Sequence, residues 1–188
     1  MSSQNLAELL KRSLGEERQQ LLQSVLEEAT QRNLPLYIVG GAVRDMMLER
    51  PVNDFDLTVE GNAIDLARAL SKKHGGGVTA HTKFGTAKWF LAPELKADHS
   101  TLDLVTARSE TYQHPAALPT VAFGTIADDL RRRDFTINAM ALRLDGEHFG
   151  ELRDDFQGMD DLQKGIVRVL HPGSFIDDPT RLYRAVRY

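Results

Sequence analysis

The sequence predicts an α/β chain in which sheet strands alternate with helices. Three observations predict it. Residues 36–61, LYIVGGAVRDMMLERPVNDFDLTVEG, read as strand, glycine turn, short helix and second strand. Residues 78–108 hold three further stretches of strand character separated by turn residues. Apolar residues recur at helical spacing through residues 4–33 and 62–73. At 188 residues the chain is long enough for one substantial core, with or without a small appendage.

The elements follow in order. Leu6, Leu9, Leu10 and Leu14 form an apolar stripe that Gly15 breaks, and Leu21, Leu22, Val25, Leu26 and Ala29 resume it, so residues 4–33 are expected to pack on the sheet as amphipathic helix. Residues 36–39 are a strand bounded by Pro35 and Gly40-Gly41. Residues 42–48 are helical, with Val43, Met46 and Met47 inward. Phe55, Leu57 and Val59 alternate with Asp54, Asp56 and Thr58, which puts the apolar set on one sheet face and the acids on the other. Asn62 caps a helix running to about Lys73, which Gly75, Gly76 and Gly77 stop. Strands are expected at 78–81 and 86–91 around the turn Lys83-Phe84-Gly85, with Trp89 in the core and His81 a polar strand residue. In residues 100–108, Leu102, Leu104 and Thr106 share one face and Thr101, Asp103 and Val105 the other. Residues 109–119 contain two prolines and little periodicity, so they are expected to form a loop. A short polar helix over 125–132 leads to a strand over 139–144, and Asp145-Gly146 predicts a hairpin to His148 and Phe149. A turn and helix over 154–164 and a strand over 167–170 come next. Asp177, Asp178 and Pro179 start a helix in which Arg181, Arg184 and Arg187 recur every three residues. That pattern stops at Tyr188 with no glycine or cap, so a piece of a longer protein is expected.

Composition narrows the function classes. The formal net charge of −4 argues against a wholly basic nucleic-acid-binding domain. With no cysteine, disulfides and thiolate metal sites are excluded. No apolar run approaches the ~20 residues that span a bilayer, and the N-terminus lacks the layout of a signal peptide. A cytoplasmic location and no membrane partner are expected. The sequence does not report on oligomeric state.

The acid pair is the chemical signal. Carboxylates at i and i+2 on a strand sit roughly 6.5–7 Å apart at Cα and can converge on one hard cation or span two. Magnesium takes one or two carboxylates plus phosphate oxygens. Upstream, Gly40 and Gly41 open a helix start, where backbone N–H groups favour phosphate, and Arg44 follows one turn on. Together these suggest a metal–triphosphate site, although each feature alone is ordinarily structural. If the strand over 100–108 lies beside the acid pair, Asp103 supplies a third carboxylate. Arg131, Arg132 and Arg133 ordinarily make a solvated face, but here they abut Asp134 and an apolar segment, and the guanidinium fork suits phosphate. Asn138 is suited to a sugar or base edge, or to capping backbone.

VGGAVRD followed by DFDLT, then DLVTAR, RRDFTINAMAL and DDPTRLYRAVR, in this order over residues 34–188, resemble the head and first neck helix of the bacterial tRNA nucleotidyltransferase and poly(A) polymerase family. This is the class II CCA-adding branch of the DNA polymerase beta superfamily. The resemblance implies a mixed, mostly antiparallel sheet of about five strands with flanking helices and the acids on its open face. It implies a helical segment at 1–33, a catalytic head at 34–144 and the start of a neck at 145–188. By position, Asp54 and Asp56 match the pair that holds Mg²⁺ in a two-metal site, and Asp103 a third strand carboxylate. Gly40, Gly41 and Arg44 match the triphosphate-gripping motif, whose last acid, Asp45, braces Arg44. Arg133, Asp134 and Asn138 match the motif that contacts sugar and phosphates. Asp178, Arg181, Arg184 and Arg187 match the neck motif that contacts nucleotide; Tyr183 departs from the family's usual aliphatic residue at a packing position. The implied activity is Mg²⁺-dependent, template-independent addition of C and/or A from CTP or ATP to the 3′ end of tRNA, releasing pyrophosphate. Two other readings stay open: nucleotide transfer to a protein or small molecule, and a non-catalytic nucleotide-binding module.

Overall fold

The computed structural model describes residues 6–52, 55–95, 100–111 and 120–188. Helices α1 (Ala7–Ser13) and α2 (Glu16–Gln31) open the chain and part at Gly15. Strand β1 (Leu36–Val39), helix α3 (Gly41–Met47) and strand β2 (Leu57–Val59) form the anticipated unit. Helix α4 (Ala63–His74) starts at Asn62, whose side chain accepts from the N–H groups of Ile64 and Asp65. Strands β3 (Gly77–His81), β4 (Thr86–Phe90) and β5 (Thr101–Thr106) follow, then the paired strands β6 (Arg108–Thr111) and β7 (Thr120–Phe123). Helix α5 (Ile126–Arg131), strands β8 (Ala141–Arg143) and β9 (Leu152–Arg153), and helix α6 (Gly158–Lys164) lead to two short helices, α7 (Ser174–Asp177) and α8 (Arg181–Ala185).

Seven strands form the main sheet, in the order β3-β4-β5-β2-β1-β8-β9. It is mixed and mostly antiparallel, the β2–β5 pair being parallel. Seven rather than about five strands arise partly because β9 has two residues, too few to show alternation. Of the loop expected over 109–119, residues 109–111 belong to β6, and residues 112–119 lie outside the described residues. Arg108–Thr111, RSET, carries no apolar alternation; backbone pairing to β7 and the ion pairs of Glu110 hold it.

Other boundaries also shift. After Asp145 the chain makes a helical turn at Gly146–His148 and re-enters the sheet only at Leu152. Asp145 Oδ1 accepts from Leu36 N–H (3.1 Å) and Arg143 Nε (3.1 Å), so it ties the start of β1 to the end of β8 instead of forming a tight hairpin. The strand expected over 167–170 is reduced to one bridge between Phe135 and Val169, because the facing backbone coils into a helical turn at Thr136–Asn138. The helix expected from Asp177 and Asp178 is divided. Asp178 accepts from Thr180 N–H (2.9 Å) and Oγ1 (2.6 Å), between α7 and α8.

The main core lies on one side of the sheet. Phe55, Leu57 and Val59 point into it with Leu102 and Leu104, against Leu21, Leu22 and Val25 of α2 and Leu66 and Leu70 of α4. Full burial of each such Leu contributes about 1.5–3 kcal/mol. Trp89 is fully buried, and its indole N–H donates to Gly75 O (3.0 Å). On the other side, α5 covers only part of the sheet, with Ile126 and Leu130 packed against Tyr37 and Ala141. The face beside it carries Asp56, Thr58, Thr86 and Val105 and stays open. Among the described residues, no helix is long and apolar enough to cross a membrane.

Candidate active site

The site grows from the turn after β1. Gly40 has φ 69° and ψ −123°, a conformation left to glycine. Its N–H donates to Met140 O (2.9 Å), which ties the turn to β8. Lacking a side chain, Gly40 leaves room for Arg133, whose Nη1 occupies the place a Cβ would take. One turn on, Arg44 donates from Nε (2.9 Å) and Nη2 (2.8 Å) to Asp45 Oδ1, and from Nη1 (2.6 Å) to Asn138 Oδ1. Asn138 Nδ2 donates to Asp134 Oδ1 (3.0 Å). Asp134 Oδ2 forms an ion pair with Arg184 Nη2 (2.7 Å). Residues from three separate sequence stretches thus form one chain of polar contacts, Asp45–Arg44–Asn138–Asp134–Arg184.

This chain borders a cavity of about 660 Å³. Of the residues singled out from the sequence, Gly41, Arg44, Asp56, Arg133, Asp134, Asn138, Asp178, Arg181, Arg184 and Arg187 line it. Gly40 sits behind Arg133. Arg181 is buried, and its guanidinium is committed to Ser174 Oγ and Arg132 O (3.1 Å), so it joins the C-terminal segment to α5. Arg44 also stacks over the Tyr188 ring, 4.8 Å from its centroid.

Of the predicted strand acids, Asp56 reaches the same cavity. Asp56 is exposed and borders the cavity, while Asp54 lies outside the described residues. β5 does run beside β2, with Leu57 opposite Leu104, so Asp103 shares the open face. Its carboxylate is drawn to Lys88 across β4 (2.6 Å), and it is not part of the cavity wall. The hydrogen bond that Lys88 donates to Asp103, then the charges of Asp103 and Asp56, push the Lys88 ammonium pKa up. This part of the sheet therefore favours a cation. The oxygen donor set suits a hard divalent ion, although no cluster of three or more His, Asp or Glu gathers among the described residues.

Residues at the cavity wall and behind it escaped the sequence reading. Asp129 has no exposed surface and holds Arg132 and Arg133 together, a fork to each carboxylate oxygen. Burial is the strongest influence on Asp129 and raises its pKa, but Arg133 and Arg132 together outweigh it and leave the group below the ordinary carboxylate range. Glu110 of β6 accepts from Arg132 (3.2 Å) and pairs with Arg108 (3.1 Å), bringing the small sheet to the cavity rim. The spacing of Asp129, Arg132 and Arg133, i, i+3 and i+4, was the available signal. Nothing local says that this helix face is buried.

Residues 36–168 match the family described as Poly A polymerase head domain. An A-adding tRNA nucleotidyltransferase of Halalkalibacterium halodurans is 46% identical over 186 residues, covering 99% of this chain and 42% of the relative. A CC-adding tRNA nucleotidyltransferase of Deinococcus radiodurans is 41% identical over 152 residues, covering 81% of this chain and 39% of the relative. The solved structure of a Thermotoga maritima CCA-adding enzyme complexed with tRNA superposes with a TM-score of 0.83 at 38% identity, covering 100% of this chain and 41% of that one. The chain thus spans about two fifths of the length of these relatives. With a family match over residues 36–168 and relatives of this identity, the chain belongs to the poly(A) polymerase head-domain family.

Proposed function

We propose that this chain is the nucleotide-binding and catalytic portion of an Mg²⁺-dependent, template-independent RNA nucleotidyltransferase. It would add C and/or A from CTP or ATP to the 3′ end of tRNA, in CCA addition or repair, and release pyrophosphate. The observation that carries this reading is one cavity lined by both Asp56 and the arginines Arg44, Arg133, Arg184 and Arg187. A triphosphate chain carries the charge such a wall neutralises. The relatives named for A addition and CC addition support the same substrate class and leave the choice of base open.

In the reaction, the acceptor 3′-oxygen bonds to the α-phosphorus, the bond to the β-phosphate oxygen breaks, and pyrophosphate leaves with the freed charge. Magnesium would be held by Asp54 and Asp56 with phosphate oxygens, and when bound it lowers the pKa of the attacking hydroxyl and neutralises the leaving group. Arg44, braced by Asp45 and Asn138, and Arg133, seated over Gly40, hold the triphosphate in line and stabilise charge as it moves outward. Asn138 and Asp134 face the sugar. Asp103, ion-paired with Lys88, stands one strand away and outside the cavity wall. The proposal includes a cytoplasmic location and division into a helical segment at 1–33, a head from 34 and the start of a neck beyond it. The proposed neck starts at 145, and the last strand of the main sheet, Leu152–Arg153, follows that boundary.

The test is a calorimetric titration of the 188-residue chain with ATP and CTP, with and without Mg²⁺, beside an Asp54→Ala/Asp56→Ala variant. Metal-dependent binding of both nucleotides, lost in the variant, is expected. In the full-length enzyme, Asp56→Ala should cut turnover at least ~100-fold, the scale of losing one key electrostatic group. Wild-type turnover in that variant would refute the assignment.

A further inference from the structure

We propose that Asp129 is a positioning residue: it locks Arg132 and Arg133 into one rigid cationic pair aimed at the phosphate end of the bound nucleotide. This rests on the nucleotide-binding reading above. Asp129 Oδ1 accepts from Arg132 Nε (3.0 Å) and Nη2 (2.6 Å), and Oδ2 from Arg133 Nε (3.2 Å) and Nη2 (2.8 Å). Both guanidinium groups therefore present the same edge to one carboxylate. Their Nη1 atoms are left for other work. Arg132 Nη1 reaches Glu110, and Arg133 Nη1 lies over Gly40 with no hydrogen-bond partner among the described residues. Two neighbouring arginines would otherwise repel each other and sample many rotamers. Asp129 removes both penalties from nucleotide binding before the ligand arrives.

The carboxylate is placed by packing. Ile126 and Leu130 press α5 onto Tyr37 and Ala141, and Glu60 Oε1 accepts from Ile126 N–H (2.6 Å) to anchor the helix start. Asp129, three residues after Ile126, is thereby turned inward between the sheet and the arginines. It does not line the cavity, so it acts only through the two side chains it holds.

The experiment measures binding of ATP, AMP and inorganic triphosphate to the 188-residue chain, with Mg²⁺, for the wild type, Asp129→Asn, Asp129→Glu and Asp145→Asn. Asp145 is a control carboxylate that holds Arg143 (2.9 Å) away from the cavity. Asp129→Asn should weaken ATP and inorganic triphosphate by about tenfold or more, the scale of losing one charge-assisted contact, and AMP by much less. The Asp145→Asn variant should melt earlier yet keep the wild-type preference for triphosphate over monophosphate. In an Arg132→Gln/Arg133→Gln background, Asp129→Asn should have no further effect on affinity. An unchanged triphosphate preference in folded Asp129→Asn overturns the proposal. If that variant does not fold, Asp129→Glu decides, and wild-type triphosphate affinity there overturns it. Wild-type binding of inorganic triphosphate without ATP would refute the nucleotide reading and leave the Asp129 comparison intact; binding of neither refutes both.

Discussion

The two adjacent glycines, Gly40 and Gly41, should respond in opposite ways to a single methyl group. Gly40→Ala places a Cβ on Arg133 Nη1 and 3.3 Å from Asn138 O, at a backbone with φ 69°. The backbone strain costs about 1–3 kcal/mol. The guanidinium must also move, against the pull of Asp129, and weakening one such charge-assisted bond costs about 1.5–3 kcal/mol. Part of that is recovered because the arginine end is flexible, so a total of roughly 2–5 kcal/mol is expected. At about 2–4 °C per kcal/mol for a chain of this size, the melting temperature falls by roughly 4–20 °C. Gly41→Ala meets nothing closer than Arg44 Nη2 at 3.6 Å, without a positive φ, at the first helical position. Replacing glycine in a helix gains up to about 1 kcal/mol, so its melting temperature should hold or rise slightly. Circular dichroism melts of both variants, with ATP titration of the folded proteins, make the comparison. Equal destabilisation by the two substitutions would refute the reasoning, as would a wild-type melt for Gly40→Ala.

Other outcomes follow from the same structure. Asn62→Ala removes the acceptor for Ile64 N–H (3.0 Å) and Asp65 N–H (3.2 Å), and urea unfolding should show a loss of about 1 kcal/mol that Asn62→Asp largely restores. Tyr37 should ionise late, because burial, reinforced by Glu60, pushes its pKa up to about 12. Its contribution to stability is therefore complete below the unfolded value of 10.0 and lost as pH rises towards 12; absorbance titration at alkaline pH should show a late step that Tyr37→Phe abolishes. Asp161 titrates below the usual range, first because of its hydrogen bond from Arg168 and further through Thr136. A depressed carboxylate stabilises the fold above its unfolded pKa of 3.8 and loses that contribution as pH falls. Melting temperatures of Asp161→Asn measured from neutral pH down through that range should converge on the wild type at the acid end; a constant difference would count against the linkage.

Local sequence determined the individual elements because their signals are short-range. Alternation in Phe55–Leu57–Val59 and Leu102–Leu104–Thr106 named the buried faces, and each of these side chains is buried. Asn62 announced the start of α4, and Trp89, expected in the core, is fully buried. The motif residues Arg44, Asp134, Asn138 and Arg184 were readable as candidates from residue type and spacing. Their joining into one network was not, because it needs β1, β8 and the C-terminal segment to meet through contacts spanning up to 94 residues for Arg44 and Asn138. Strand order has the same cause. Nothing in DFDLT or TLDLVT specifies that β2 and β5 lie parallel, and the Lys88–Asp103 pair exists only through the β4–β5 register. Asp129 marks the division most sharply. Its spacing from two arginines is the ordinary pattern of a solvated helix face, and only the packing of Ile126 and Leu130 against the sheet takes that face out of water. Sequence periodicity sets which side of an element is apolar, whereas the tertiary fold decides which polar groups are trapped beside it and must therefore bind one another.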